Sequence, residues 1–180
     1  MKKRYIYVLL VLLLSIGGCG YGLGLGGFYL PHIKTIYVET FDNRTYEANI
    51  EITISDDIRI LFNENGTLKV VNSKEEADCL LQGEIVEYIR QPARYSDEDT
   101  KIITEYKLVL VTNLKLTDLV KKRTLWTEQN FFGYCYYGYT GSSPQVDTQT
   151  HVYANSETEA FPFAAADLAR NIINRTIENW

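Results

Sequence analysis

The chain has 180 residues, 46% hydrophobic and 23% charged, a composition that supplies one globular core and leaves two full domains crowded. Its formal net charge is −5, which excludes a general binder of nucleic acid, whose affinity rests on neutralising phosphates with Lys and Arg. Any anionic partner must meet a local basic patch.

In chain order, residues 1–18 open on Met-Lys-Lys-Arg, continue as an apolar run from Tyr5 to Leu14, and end in the small residues Ser15, Gly17 and Gly18. A basic start, about ten apolar residues and a small-residue cleavage zone read as a signal peptide; a membrane-crossing helix needs roughly twenty. Ile16-Gly17-Gly18-Cys19 resembles the bacterial lipobox, which implies that Cys19 becomes the first mature residue and carries lipid, palmitate among its acyl chains. Gly20 after the cysteine resembles an outer-membrane address. The leader holds three of the eighteen basic residues and no acid, so the mature part carries fifteen basic against twenty-three acidic residues, a net charge of −8.

Seven of the twelve glycines fall between Gly17 and Gly27, so residues 19–32 read as a lipidated, glycine-rich tether. Gly22, Gly24 and Gly27 satisfy a GxGxxG pattern, but a signal peptide precedes them and Pro31 follows, which is not the strand and helix a dinucleotide site needs. The remainder, 33–180, reads as a single periplasmic domain.

Ile33 to Phe41 is β-branched and aromatic, hence a strand ending at the turn-forming Asp42-Asn43. Ile50, Ile54, Ile58, Leu61 and Phe62 recur at helical spacing, and Asn65-Gly66 supplies the stop. Thr67 to Val71 and Asp78 to Arg90 read as strands. Lys101 to Leu119 alternates, with Tyr106, Leu108, Leu110, Leu114 and Leu116 on one face and Glu105, Lys107, Asn113 and Lys115 on the wet or partner-facing side. A charged turn, Lys121-Lys122-Arg123, leads into a strand over Thr124 to Phe132, and Gly138 to Asn155 reads as a mobile loop. Ala165, Leu168, Ala169, Ile172, Ile173, Thr176, Ile177 and Trp180 form a helical stripe, with the regular helix expected to start near Pro162. Two one-sided helices and a half-exposed sheet predict an α/β (α+β) fold, a two-layer sandwich with both helices on one face of a four- to five-stranded, mostly antiparallel sheet.

Chemistry is sparse. His32 and His151 have no Cys, His or carboxylate at metal-ligand spacing, and the serines carry no nucleophile motif, so no catalytic residue, metal or cofactor is assigned. Asp97-Glu98-Asp99 lacks the alternating ligands of a calcium loop and reads as a solvated turn. In an oxidising compartment Cys79 and Cys135 are either bridged or two small apolar residues on separate strands. From Phe131 through Phe132, Tyr134, Tyr136 and Tyr137 to Tyr139, six aromatics occupy nine positions, more than one strand face can bury. They either meet a partner or pack beneath the following loop.

Cys19-Gly20-Tyr21, then Ile36-Tyr37-Val38 leading to Phe41-Asp42-Asn43-Arg44-Thr45, is followed in order by Ala77-Asp78-Cys79-Leu80-Leu81-Gln82-Gly83, Thr104-Glu105-Tyr106-Lys107-Leu108 and Leu125-Trp126. This series resembles the LptE family of lipopolysaccharide-assembly lipoproteins over nearly the whole mature chain. The resemblance implies two helices on a mostly antiparallel sheet and no enzymatic activity. It also implies an outer-membrane location, with the domain facing the periplasm and the lumen of an LptD barrel that it plugs. Lipopolysaccharide would then be a ligand. Arg90, Arg94 and Lys101 around one turn, and Lys121, Lys122 and Arg123 at another, are the basic positions expected to pair with its phosphates, unless they are plain solvated turns. The alternative function is a stand-alone envelope lipoprotein that binds a glycan or lipid without a barrel.

Overall fold

The computed structural model describes residues 30–96, 101–138 and 153–178. Strand β1 (Thr35–Val38) and the two-residue β2 (Asp42–Asn43) precede helix α1 (Ile50–Asn65). Then come β3 (Lys69–Val70), a 3-10 turn over Lys74–Glu76, and three long strands: β4 (Cys79–Tyr95), β5 (Ile103–Asp118) and β6 (Arg123–Tyr137). A short β7 (Tyr153–Ala154) leads into helix α2 (Glu157–Glu178).

The sheet order is β3-β1-β4-β5-β6-β7, with β2 also beside β4. The long strands pair antiparallel and the short ones join in parallel, so the sheet is mixed. The expected fold class holds, and the two added strands are two-residue pieces too short to leave a periodic signal. Helix α2 packs on β6 and β5, α1 on β1 to β3, and the helices on each other. Ile54, Ile58 and Phe62 of α1 share one core with Leu81, Ile85, Leu108, Leu110 and Leu116 of the sheet and Leu168 and Ile172 of α2. Both helices therefore cover one face, and the other carries no layer among the described residues.

The periodicity of α1 survives intact, and Gly66 ends it at φ 71, donating its N–H to the Phe62 carbonyl at 3.1 Å. Helix α2 begins at Glu157, not near Pro162, and Pro162 lies inside it. Its first turn is fastened from outside. The Ser156 hydroxyl accepts the Glu159 N–H at 3.3 Å, the Ser156 carbonyl accepts the Ala160 N–H at 2.9 Å, and Glu157 holds Arg90 at 2.7 Å. With Ala160 and Ala164 fully buried, these contacts outweigh the hydrogen bond that proline forfeits. Strands β4 and β6 each run five residues past their expected ends, at Tyr95 and Tyr137, because pairing with β5 continues through weakly alternating sequence. Of the loop expected over 138–155, Tyr153–Ala154 instead pairs with Tyr136 and Tyr137, and the stretch 139–152 lies outside the described residues.

Cys79 and Cys135 are buried free thiols. Cys79 pairs with Asp118 and Cys135 with Leu108, ten positions apart along β5 and on opposite sides of it. That is about 33 Å at the usual strand rise. A bridge needs Cα atoms within about 7 Å, so none forms.

Candidate functional site

Alternation along β6 divides the aromatic run in two. Phe131 and Tyr137 face the helices and join the core, while Phe132, Tyr134 and Tyr136 line the open face, where Phe132 is 50% exposed. Neither expectation for the run holds for all of it. Tyr139 and His151 lie outside the described residues.

Registration places Val111 beside Phe132, Val109 beside Tyr134 and Lys107 beside Tyr136, with Glu87, Ile89 and Gln91 of β4 completing the rows. Tyr134 and Tyr136 meet edge to face, their centroids 5.6 Å apart. The Lys107 ammonium stands 3.8 Å from the Tyr134 ring centre and 5.5 Å from that of Tyr136. Val109 and Val111, although on the open face, are nearly covered by these rings. The surface is an apolar and aromatic strip with one cation seated in it, and the pairing of area with polar tips suits contact with a partner.

The strip is held flat from behind. On the far edge of β6, the Tyr134 N–H donates to Asp167 at 3.1 Å and the Asn171 amide donates to the Phe132 carbonyl at 3.3 Å, so side chains of α2 satisfy backbone that has no strand partner there. Sequence reasoning could not find these two residues, because nothing local ties them to a strand more than thirty positions away. Lys107 was legible as an outward position on β5 but not as the cation between two rings.

The basic residues expected to meet phosphate fall into two places. Arg90 and Arg94 lie on β4 near Lys101, whereas Lys121, Lys122 and Arg123 occupy the β5–β6 turn, the full length of β5 away. Sixteen residues of strand span about 50 Å, so the two groups cannot share a ligand. Arg90 points toward the helices and lies between Glu47 at 2.8 Å and Glu157 at 2.7 Å, while Arg94 is 3.4 Å from Glu105. Glu105, expected on the wet side, is 3% exposed. Arg123 stands 3.7 Å from Asp118, and Lys101, Lys121 and Lys122 are exposed.

His32, which shows no metal-ligand spacing in the sequence, reaches Asp118 with Nε2 at 2.8 Å. Burial of Asp118 pushes its carboxyl up, but the His32 contact and the N–H of Lys121, at 2.8 Å, outweigh that and hold it below the usual carboxylate range. A lowered carboxylate pKa contributes stability above the unfolded value and loses it as pH falls through the folded one. Urea stability should therefore drop as pH falls below about 4, and Asp118→Asn should be weaker at neutral pH with a shallower acid decline. An acid decline unchanged by the substitution would contradict this role. Among the described residues no group of three His, Cys, Asp or Glu side chains is placed to hold a metal.

A family profile described as LptE, lipopolysaccharide assembly, matches residues 33–176. The chain belongs to the LptE family. The match contains the whole open face and leaves out residues 1–32. Two of the stretches that carried the LptE resemblance meet in space: the Phe41 ring lies over Gly83, and Asp78 accepts the N–H groups of Lys34 and Thr35 at 2.8 and 3.0 Å. These two stretches build the β1–β4 joint, while a third, Thr104 to Leu108, supplies Lys107 to the aromatic strip.

No curated protein matches this LptE chain. Its fold is similar to that of the hypothetical protein CT253 from Chlamydia trachomatis, at 11% identity and a TM-score of 0.52, covering 79% of this chain and 95% of that one. Lipoprotein B from Nitrosomonas europaea is similar at 16% identity and a TM-score of 0.52, covering 81% and 83%. The PelC dodecamer of Paraburkholderia phytofirmans gives 12% identity and a TM-score of 0.51, covering 86% and 94%. At such identities the likeness shows the fold alone.

Proposed function

We propose that this LptE-family protein is an outer-membrane lipoprotein, anchored through Cys19, that plugs and stabilises an LptD-like β-barrel and assists lipopolysaccharide delivery to the surface. The single observation that carries the reading is the open sheet face, where Phe132, Tyr134, Tyr136 and Lys107 form an outward strip that no layer among the described residues covers. Such a surface acts by contact, not turnover. Barrel walls are themselves strands, and a flat aromatic face matches them in shape and in tolerance of water at its rim. For the phosphates of lipopolysaccharide, Arg94, 61% exposed and beside one carboxylate, is better placed than Arg90, which serves two. Tagged protein purified from detergent-solubilised outer membrane should bring an LptD-like barrel with it in near-equal amount. Recovery without any barrel would overturn the proposal.

The outward rings of the strip, with Phe132 half exposed, also suit a sugar, which stacks on aromatic faces, and this favours the stand-alone glycan- or lipid-binding reading. A monomer isolated with bound glycan or lipid and no barrel would decide for it.

A further inference from the structure

We infer that the end of the domain where the chain leaves its tether is a basic surface that rests on the anionic headgroups of the leaflet holding the anchor. The inference rests on the Cys19 anchor proposed above and concerns a different surface from the aromatic strip.

The His32–Asp118 contact fastens the incoming chain to the last residue of β5, beside the β5–β6 turn. The starts of β1, β3 and β4 lie at this same end, as their pairing shows: Thr35 is opposite Lys69, and Ile36 opposite Cys79, which is itself opposite Asp118. Lys34, Lys69, Lys74, Lys121, Lys122 and Arg123 are thereby gathered at one end of the molecule, all exposed. Among the described residues none of these lysines has an ion-pair partner, while Arg44, Arg59, Arg90 and Arg175 elsewhere are each within 2.8 Å of a carboxylate. Among the described side chains, Glu64, Glu75 and Glu76 are the exposed carboxylates at this end; Asp118 is fully buried and Asp78 is spent on backbone N–H groups. A basic end is therefore set against a mature chain of net charge −8.

Between the cations, at the tip of the turn, Val120 is 56% exposed. An apolar tip ringed by Lys and Arg fits the boundary of a membrane, where the ring meets phosphate and the tip meets acyl chain.

Length rules out one orientation. From Cys19 to Leu30 is eleven residues, a reach of about 40 Å at most. The domain is about 50 Å long along β5. The tether is too short to carry its own attachment point a domain length from the membrane, so an inverted pose, with the Arg94 and Lys101 end on the leaflet, is excluded.

The test uses purified, lipidated protein carrying Val120→Cys with a nitroxide spin label. Cys79 and Cys135 are buried, with thiols pushed up to about 12 and about 11, and stay unlabelled. In phosphatidylcholine vesicles containing roughly one third phosphatidylglycerol, the label should be several-fold better shielded from a water-soluble nickel relaxant than in pure phosphatidylcholine. Shielding should vanish in about 0.5 M salt, where charges are screened within a few ångströms, and in the variant Lys121→Gln/Lys122→Gln/Arg123→Gln. Protein that stays on neutral vesicles but shows equal label exposure in both lipids overturns the inference while sparing the anchor. Protein lost from neutral vesicles overturns the anchor and the inference with it. Shielding that requires added envelope protein assigns the surface to a protein partner and also overturns it.

Discussion

Gly133→Ala should destabilise the domain by about 3 kcal/mol, the upper part of the range for forcing atoms into a packed interior. A Cβ built at this position falls 2.3 Å from the Leu168 backbone nitrogen and 2.5 Å from its Cα. The obstacle is main chain in the middle of α2, so no rotamer change relieves it. The helix must lift from β6, loosening Leu168 in the core and stretching the Asp167 and Asn171 hydrogen bonds that cap the edge of β6. Gly66→Ala is the control: nothing lies within 4 Å of its added Cβ, and only the φ of 71 is strained, at about 1 kcal/mol. Urea titration should show a much lower midpoint for Gly133→Ala at unchanged slope. Equal midpoints for the two variants would mean that α2 does not sit on β6 as described.

Cys19→Ser should abolish anchoring. Each buried methylene contributes roughly 0.8 kcal/mol, so one acyl chain binds marginally and several hold permanently. A serine hydroxyl cannot take the thioether-linked lipid, and the leader should then remain attached as a mislocalised precursor. Intact-mass measurement of the membrane and soluble fractions reads the outcome directly. Normally processed, membrane-retained protein from the variant would rule out lipidation at Cys19.

Long periodic elements were legible in the sequence because burial on one face writes itself into spacing. The stripe from Ile50 to Phe62 predicts α1 to its glycine stop, and the alternation of β5 places Leu108 and Leu110 inside and Lys107 outside. What escaped depends on partners far away in sequence. Proline inside a helix reads as a boundary until Arg90, on another element, is seen to hold Glu157. Glu105 reads as wet because it alternates with Tyr106, yet it is almost wholly buried, with Arg94 of the neighbouring strand 3.4 Å away. The aromatic run showed that something must be exposed, but which rings face out depends on the register set at the bulge near Asn130, where φ is 55 and the N–H is held by Asn113. The basic positions were visible as residues and not as places: only the strand pairing shows that two groups named for one ligand sit at opposite ends of β5.

The decisive measurement is co-purification of the barrel by a face variant that leaves the fold intact. Phe132→Ser/Tyr134→Ser/Tyr136→Ser alters only side chains on the uncovered side of β6, so the variant should still unfold in one cooperative transition, at a lowered midpoint because Val109 and Val111 lose their cover. If this surface is what grips the partner, the unaltered protein brings an LptD-like barrel out of solubilised outer membrane and the triple variant brings little or none. A stable triple variant that retains the barrel at the unaltered level would contradict it.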